Sequence, residues 1–132
     1  DTHIAVDIAI EKGFKKVTVI GALGGRVDHS LANIMLLKYM LEKGVCAKIV
    51  NEKNTVFLTR SGVTLPPQGR RKLSLIPLTE SVSNLTLKGL KYPVSGFTLK
   101  MGDSRGISNE FTESDAEITF DKGLLLIITS ED

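Results

Sequence analysis

Helical periodicity runs out at Asn51-Glu52-Lys53-Asn54 and does not return in the 132-residue chain. Before that point helix-period and strand-period segments alternate in the order helix, strand, helix, strand, the pattern of an α/β layer. After it, short strand candidates follow one another between turn residues, at Thr55 to Thr59, Val63 to Leu65, Lys72 to Leu78, Val82 to Leu87, Thr98 to Met101, Ala116 to Phe120 and Leu124 to Thr129. That many short strands in about eighty residues argue for a β-sandwich or small barrel. The fold class is therefore α/β followed by all-β, with the boundary between residues 1-52 and 53-132. Two complete enzyme domains do not fit in this length.

Within the first part, Ile4, Ala5, Ile8 and Ala9 form the apolar face of a helix that Gly13 ends, and His3 and Asp7 pair on its polar stripe. Val17-Thr18-Val19-Ile20 is a β-branched run suited to a buried strand. It leads directly into the glycine loop Gly21-Ala22-Leu23-Gly24-Gly25-Arg26-Val27-Asp28-His29. Asp28 or Ser30 then caps a mostly buried helix that runs to about Lys43 and stops at Gly44, with Cys46 to Val50 as the next strand. In the second part, Asp121-Lys122-Gly123 reads as a hairpin turn between the last two strands.

Charge narrows the partners. Seventeen Lys and Arg against 15 Asp and Glu give only +2, and the basic residues are scattered, which argues against nucleic acid. The longest strongly apolar run, Leu31 to Leu41, is far shorter than the ~20 residues of a membrane span. The single cysteine, Cys46, lies between Val45 and Ala47 and reads as a buried strand thiol in a reducing, cytoplasmic setting. The start, Asp1-Thr2-His3, has neither initiator Met nor signal segment, and reads as a chain cut from something longer.

Four places can carry chemistry. In the loop before the second helix, Gly24 and Gly25 let backbone N–H groups approach an anion at a helix N-terminus, which suits a phosphate. Arg26 adds a cation, and the Arg-x-Asp spacing to Asp28 hints at metal-assisted phosphoryl chemistry. The competing reading is a tight turn with Asp28 as N-cap and Arg26 in a surface ion pair. Asp1 is either an N-cap or a metal ligand. The segment Met101 to Glu110, bounded by glycines and dense in polar groups, is a loop whose Ser and Asn can bond a ligand or only the turn itself. Of the two histidines, His3 pairs with Asp7, while His29, one turn before Asn33, holds the loop. No Cys or His spacing supports zinc.

Taken together these blocks resemble the thiamin pyrophosphokinase family. The resemblance is carried by Asp1-Thr2, by the stretch from Gly21 to Asn33, by Ser74-Leu75-Ile76-Pro77-Leu78, by Gly89-Leu90-Lys91-Tyr92-Pro93, and by Gly106-Ile107-Ser108-Asn109-Glu110-Phe111. It implies the C-terminal part of a Rossmann-like α/β catalytic, ATP-binding domain in 1-52, and an antiparallel β-sandwich that binds thiamin in 53-132. The implied activity is Mg²⁺-dependent transfer of pyrophosphate from ATP to thiamin, giving thiamin diphosphate and AMP. The implied assembly is a homodimer with the thiamin site shared across its interface.

By position, the resemblance makes Arg26 the group that neutralises the transferred phosphates and Asp28 a contact to the metal or the thiamin hydroxyl. Gly24 and Gly25 form the phosphate loop, and Asp1 is a metal ligand, the last Asp of a block otherwise missing. Ser108 and Asn109 match the thiamin-contacting pair, and Tyr92 offers a ring whose expected role is packing inside the sandwich. The chain corresponds to the C-terminal two-thirds of such an enzyme, with most of the ATP site expected upstream of residue 1 and no activity expected of this stretch alone. The rival reading is a non-catalytic ligand-binding or dimerisation module whose glycine loop is structural, and a kinase for a different small alcohol also remains open.

Overall fold

A computed structural model describes residues 1–132 as a mixed α/β protein, mostly strand, with its strands in two sheets. It divides into two compact units, Asp1–Leu58 and Thr59–Asp132. The division falls after residue 58 rather than 52 because β3 (Asn54–Thr59) pairs antiparallel with β2 (Cys46–Val50), Val56 standing opposite Ile49.

In the first unit, α1 spans Thr2–Glu11 and α2 spans Val27–Glu42. Both helices stop where the glycines predict, for a local reason. Gly13 (φ +81°) and Gly44 (φ +77°) take the left-handed conformation, and the next residues, Phe14 and Val45, donate back to the Ala9 and Met40 carbonyls. Strand β1 (Lys16–Ile20) runs parallel to β2, with Val17 opposite Ala47 and Val19 opposite Ile49, α2 forming the connection between them. Leu37, Met40, Val45, Ile49 and Val56 are buried here.

Burial in this unit is lower than the apolar pattern predicts. In α1 the buried residue is Val6, whereas Ile4 and Ile8 are exposed; in α2 only Leu37 and Met40 are buried, with Leu31 and Met35 exposed. The run Val17–Ile20 is a half-exposed strand, and Ile20 is 81% exposed. Cys46 is exposed too, because it opens β2 on the sheet face away from Ile49. Period alone says which residues share a face but not whether anything covers it.

The second unit has β5 (Lys72–Pro77) between β10 (Leu125–Ser130) and β8 (Asn109–Glu110), all antiparallel. A second group runs β4 (Val63–Leu65), β9 (Ala116–Thr119), β6 (Ser81–Lys88), β7 (Val94–Lys100), also antiparallel. Alternation supplies the core: Leu73, Leu75, Val82, Leu99, Ile118 and Ile127 are each at most 1% exposed. Gly123 takes a positive φ (+114°), yet Asp121-Lys122-Gly123 is not a hairpin turn, because β9 pairs with β4 and β6 while β10 pairs with β5. Strand β7 begins at Val94, four residues earlier than its apolar run suggests.

Candidate functional site

In the first unit the glycine loop is held by two side chains one turn apart on α2. Ser30 Oγ accepts from Gly24 N–H at 2.9 Å and donates to the Gly24 carbonyl at 3.2 Å. Asn33 Nδ2 donates to the Ala22 carbonyl at 3.0 Å. The residue that holds the loop is thus Asn33, with Ser30, and not His29. Ser30 consequently does not cap α2, and neither does Asp28: the N-cap position is Arg26, which makes no side-chain capping bond. In the first turn of α2 the His29 N–H is taken by Asp28 Oδ1 at 2.9 Å, no side chain occupies the N-cap, and the positive end of the dipole stays toward the loop, with Asp28 as the acidic residue of that turn.

Arg26 and Asp28 form a two-pronged pair, Nε to Oδ1 at 3.2 Å and Nη2 to Oδ2 at 2.7 Å. The guanidinium, and after it the His29 backbone N–H, hold the Asp28 carboxyl below the usual carboxylate range. Two such bonds leave further N–H groups of the guanidinium available for an anion. Gly24 and Gly25 are not required by the fold: neither sits at positive φ, and a Cβ on either would meet nothing within 4 Å. That open space leaves the backbone at Gly25 approachable by an anion, whereas Gly24 N–H is already spent on Ser30 Oγ.

A hollow of about 690 Å³ lies in the same unit, lined by Asp1, Thr2, His3, Asp28, His29, Ala32, Asn33 and Leu36. It brings Asp1 and Asp28, distant in sequence, to one surface. Asp1 Oδ1 caps α1, accepting from His3 N–H at 2.8 Å and Ile4 N–H at 3.3 Å, which leaves Oδ2 outside those bonds. His3 pairs with Asp7 at 3.4 Å, and Asp7 in turn accepts from the Tyr39 hydroxyl at 2.6 Å.

The second unit has its own cavity, about 320 Å³, between apolar walls from Leu75, Leu85, Leu87, Val94, Phe97 and Leu99. Polar groups enter it from the β7–β8 connection, where Arg105, Gly106 and Ser108 line it, from Asn109 at the start of β8, and from Tyr92 after β6. An apolar pocket with a few directed polar groups is the usual form of a small-molecule site. Gly106 is demanded by packing, since a Cβ there would run into the Leu75 carbonyl oxygen. Ser108 sits at φ +63°, strained for a residue with a side chain, and its N–H is secured by Ser74 Oγ at 3.0 Å.

Beside it, Asp103 caps a short 3-10 turn, Ser104–Gly106, and grips Arg105 at 2.7 to 3.0 Å, which pulls the Asp103 carboxyl down and pushes Arg105 up. The Arg105 guanidinium lies 4.7 Å from the Phe97 ring centre. Tyr92 lines the cavity and is 54% exposed, so it does not pack inside the unit as its sequence context suggests. Asn109 is 92% buried, by its 8% exposure, and its amide binds the Tyr92 backbone.

Sequence reasoning missed the roles of Ser30, Asn33, Ser74, Asp103 and Arg105. Ser30, Asn33 and Ser74 stand inside the blocks that carry the family resemblance, so their positions were visible although their bonds were not.

Two family models match the chain: "Thiamin pyrophosphokinase, catalytic domain" over residues 1–49 and "Thiamin pyrophosphokinase, vitamin B1 binding domain" over residues 61–125. The chain is 33% identical over 134 aligned residues to a thiamine pyrophosphokinase of Bacillus subtilis, covering 100% of the chain and 63% of that protein. The crystal structure of a Bacillus subtilis thiamine pyrophosphokinase superposes with a TM-score of 0.94 at 32% identity, again over 100% of this chain and 63% of the other. That of a thiamin pyrophosphokinase from Geobacillus thermodenitrificans gives 0.88 at 32% identity, over 100% and 61%. The chain thus spans less than two thirds of the length of these relatives.

Proposed function

The chain belongs to the thiamin pyrophosphokinase family, and from that premise we propose that the protein carrying it transfers the pyrophosphoryl group of ATP to the hydroxyl of thiamin, releasing AMP. The observation that carries this reading is the meeting of Asp1 and Asp28 on one hollow beside the uncapped start of α2, with Arg26 fixed by Asp28.

Phosphoryl transfer depends on placement and charge compensation. In this reading the loop's open side at Gly24 and Gly25 admits the phosphates, the α2 N-terminus adds partial positive charge, and Arg26 presents its remaining N–H groups to the group in transit. Asp28 keeps Arg26 from wandering, so little reorganisation is needed when charge develops.

Magnesium is a hard cation that retains several waters and is held through one or two carboxylates with the phosphates filling the rest. Asp1 and Asp28 supply carboxylates on one surface, Asp1 with Oδ2 outside its capping bonds and Asp28 with its two oxygens shared with Arg26. The residues therefore fit the ion, which would neutralise phosphate charge when bound, with Asp1 Oδ2 and Asp28 as its protein ligands.

The thiamin site in this reading is the cavity of the second unit, with Ser108, Asn109 and Tyr92 at its polar end. Two antiparallel strand groups around an apolar cavity support the sandwich assignment, and the parallel β1–α2–β2 connection supports a Rossmann-like layer. The protein works as a homodimer with the thiamin site completed by the partner. The exposure of Tyr92 and Ile107 at the cavity, 54% and 45%, supports a rim that another surface covers. No helix is long and apolar enough to cross a membrane, and the exposed thiol of Cys46 suits the reducing cytoplasm assigned to it here.

A coupled assay for AMP release with thiamin and Mg-ATP tests the proposal. AMP formed only when thiamin is present supports it. Thiamin binding without any AMP release would leave a binding module, and AMP release with a different alcohol would leave another kinase.

A further inference from the structure

Helix α1 is thinly anchored. Val6 is its one buried residue, while Ile4 and Ile8 stand 60% and 47% exposed, so apolar packing by itself fixes the helix weakly. Yet α1 carries Asp1 at its start, and Asp1 must stay beside Asp28 of α2 if both carboxylates are to serve one ion.

Asp28, Ala32, Leu36 and Tyr39 follow one another at helical spacing along one face of α2. The first three line the hollow, and Tyr39 comes next along that face. Its hydroxyl donates to Asp7 Oδ1 of α1 at 2.6 Å, the short length of a bond to an ionised acceptor. That bond first, and burial second, push the Tyr39 hydroxyl above the usual phenol range, so it keeps the proton the bond needs.

The two ends of this bond are unequally held. On α2, Leu37 and Met40 flank Tyr39 and are each 1% exposed, which ties that stretch of the helix to the core. On α1, His3 lies one turn before Asp7, with its ring 4.9 Å from the Tyr39 ring and Nε2 3.4 Å from Asp7 Oδ2. His3 is itself on the lining of the hollow, next to Asp1 and Thr2. The firm helix thus grips the loose one at Asp7, within two turns of Asp1.

We propose that Tyr39 is a positioning residue for Mg²⁺: through Asp7 it sets α1 on α2 so that the Asp1 and Asp28 carboxylates stay together at one hollow. This rests on the magnesium reading above and deepens it by naming what holds the two ligands in place.

The test is Mn²⁺ binding to the protein carrying this chain, followed by EPR, since Mn²⁺ takes oxygen ligands of the same kind as Mg²⁺. Asp1→Asn keeps a capping oxygen and replaces Oδ2 by an amide nitrogen, so it should weaken Mn²⁺ at least about tenfold and locate the ion. Tyr39→Phe keeps the ring and loses only the hydroxyl. It should weaken Mn²⁺ about three- to tenfold, because α1 spends less time in the position that binds, while thiamin affinity stays within about twofold. Asp7→Ala should weaken Mn²⁺ as well, and adding Tyr39→Phe to it should cost less than about twofold more. Asp7→Asn still accepts from the hydroxyl and should bind Mn²⁺ within about twofold of the parent. Should Asp7→Asn lose as much as Asp7→Ala while Tyr39→Phe loses nothing, the charge of Asp7 attracts the ion and the inference is overturned.

Amide exchange supplies a metal-free arm. In Tyr39→Phe the N–H groups of α1 should exchange at least about threefold faster, while those of Leu37 and Met40 keep their protection. Unchanged exchange in α1 overturns the clasp. Mn²⁺ binding that ignores Asp1→Asn would overturn the magnesium reading and the inference with it, whatever the exchange shows. Binding that is lost in Asp1→Asn and untouched in Tyr39→Phe would overturn the inference alone.

Discussion

Arg26 and Asp28 hold each other through two N–H···O bonds, of 3.2 and 2.7 Å, at the uncapped start of α2. Both side chains are well exposed, 72% and 64%, so the pair contributes little to stability in water. Its geometry matters more for what it presents. A guanidinium already aligned by a carboxylate meets an anion without paying much side-chain entropy at that moment.

The pair makes a titration and a kinetic prediction. Asp28 should titrate below the ordinary carboxylate range because of Arg26, and Arg26→Ala should move its midpoint upward, as followed by carboxyl-resolved NMR. Since the folded-state value is the lower one, whatever the pair contributes is present above the ordinary carboxylate range and fades as the pH falls through the lowered midpoint. In the enzyme proposed here, Arg26→Ala should reduce kcat on the order of a hundred- to a thousandfold with thiamin KM nearly unchanged. Parent-level turnover in a folded variant would return the loop to a purely structural role.

Gly25 separates folding from function. A Cβ at this position meets nothing within 4 Å and the backbone is not left-handed, so Gly25→Ala should change stability by less than about 0.5 kcal/mol in a denaturant titration. If the open space admits the phosphates, the same methyl should raise the KM for ATP and lower turnover. A variant that is both stable and fully active would remove Gly25 from the site.

How far such relationships can be read from sequence depends on their range. The helix ends at Gly13 and Gly44 were legible because a left-handed glycine and its backbone bonds lie within six residues. The strand Val63–Leu65 was legible between turn residues, whereas β8, only Asn109–Glu110, was too short to show any alternation. Exposure of Ile20 and Cys46 was not legible, since a strand's period does not tell whether its second face is covered. The site divides in the same way. Arg26 and Asp28 stand two residues apart and their pairing could be weighed in advance, while Asn109 and Tyr92 are separated by β7 and meet only in the fold. Asp1 and Asp28 come to one hollow for the same nonlocal reason.

Gly106 and Ser108 should separate stability from binding. Gly106→Ala drives a methyl into the Leu75 carbonyl and should destabilise the second unit by about 1 to 3 kcal/mol. Ser108→Gly relieves the strain at φ +63° but frees the unfolded chain, and its stability should stay within about 1 kcal/mol of the parent. Because the serine hydroxyl is lost from the cavity, thiamin binding should weaken in Ser108→Gly nonetheless. Measuring melting and thiamin affinity on the same preparations checks both; unaltered affinity would take Ser108 out of the thiamin site.

The assembly is open to a sharper experiment, because the phosphate-side and thiamin-side residues lie in different units of the chain. Arg26 belongs to residues 1–58 and Tyr92 to residues 59–132. In a two-fold dimer with shared sites, each site takes one unit from each subunit. Mixing Arg26→Ala subunits with Tyr92→Ala subunits then generates heterodimers in which one site carries both lesions and the other carries neither. Such heterodimers should regain up to about half of the parent activity per dimer if the sites act independently. If each site is built within one chain, every site in the mixture retains a lesion and activity stays at the level of the two variants alone. Subunit exchange must be demonstrated by native mass spectrometry on the same mixture. Proven exchange without recovery of AMP release would overturn the shared site and place both residues in the service of a single chain.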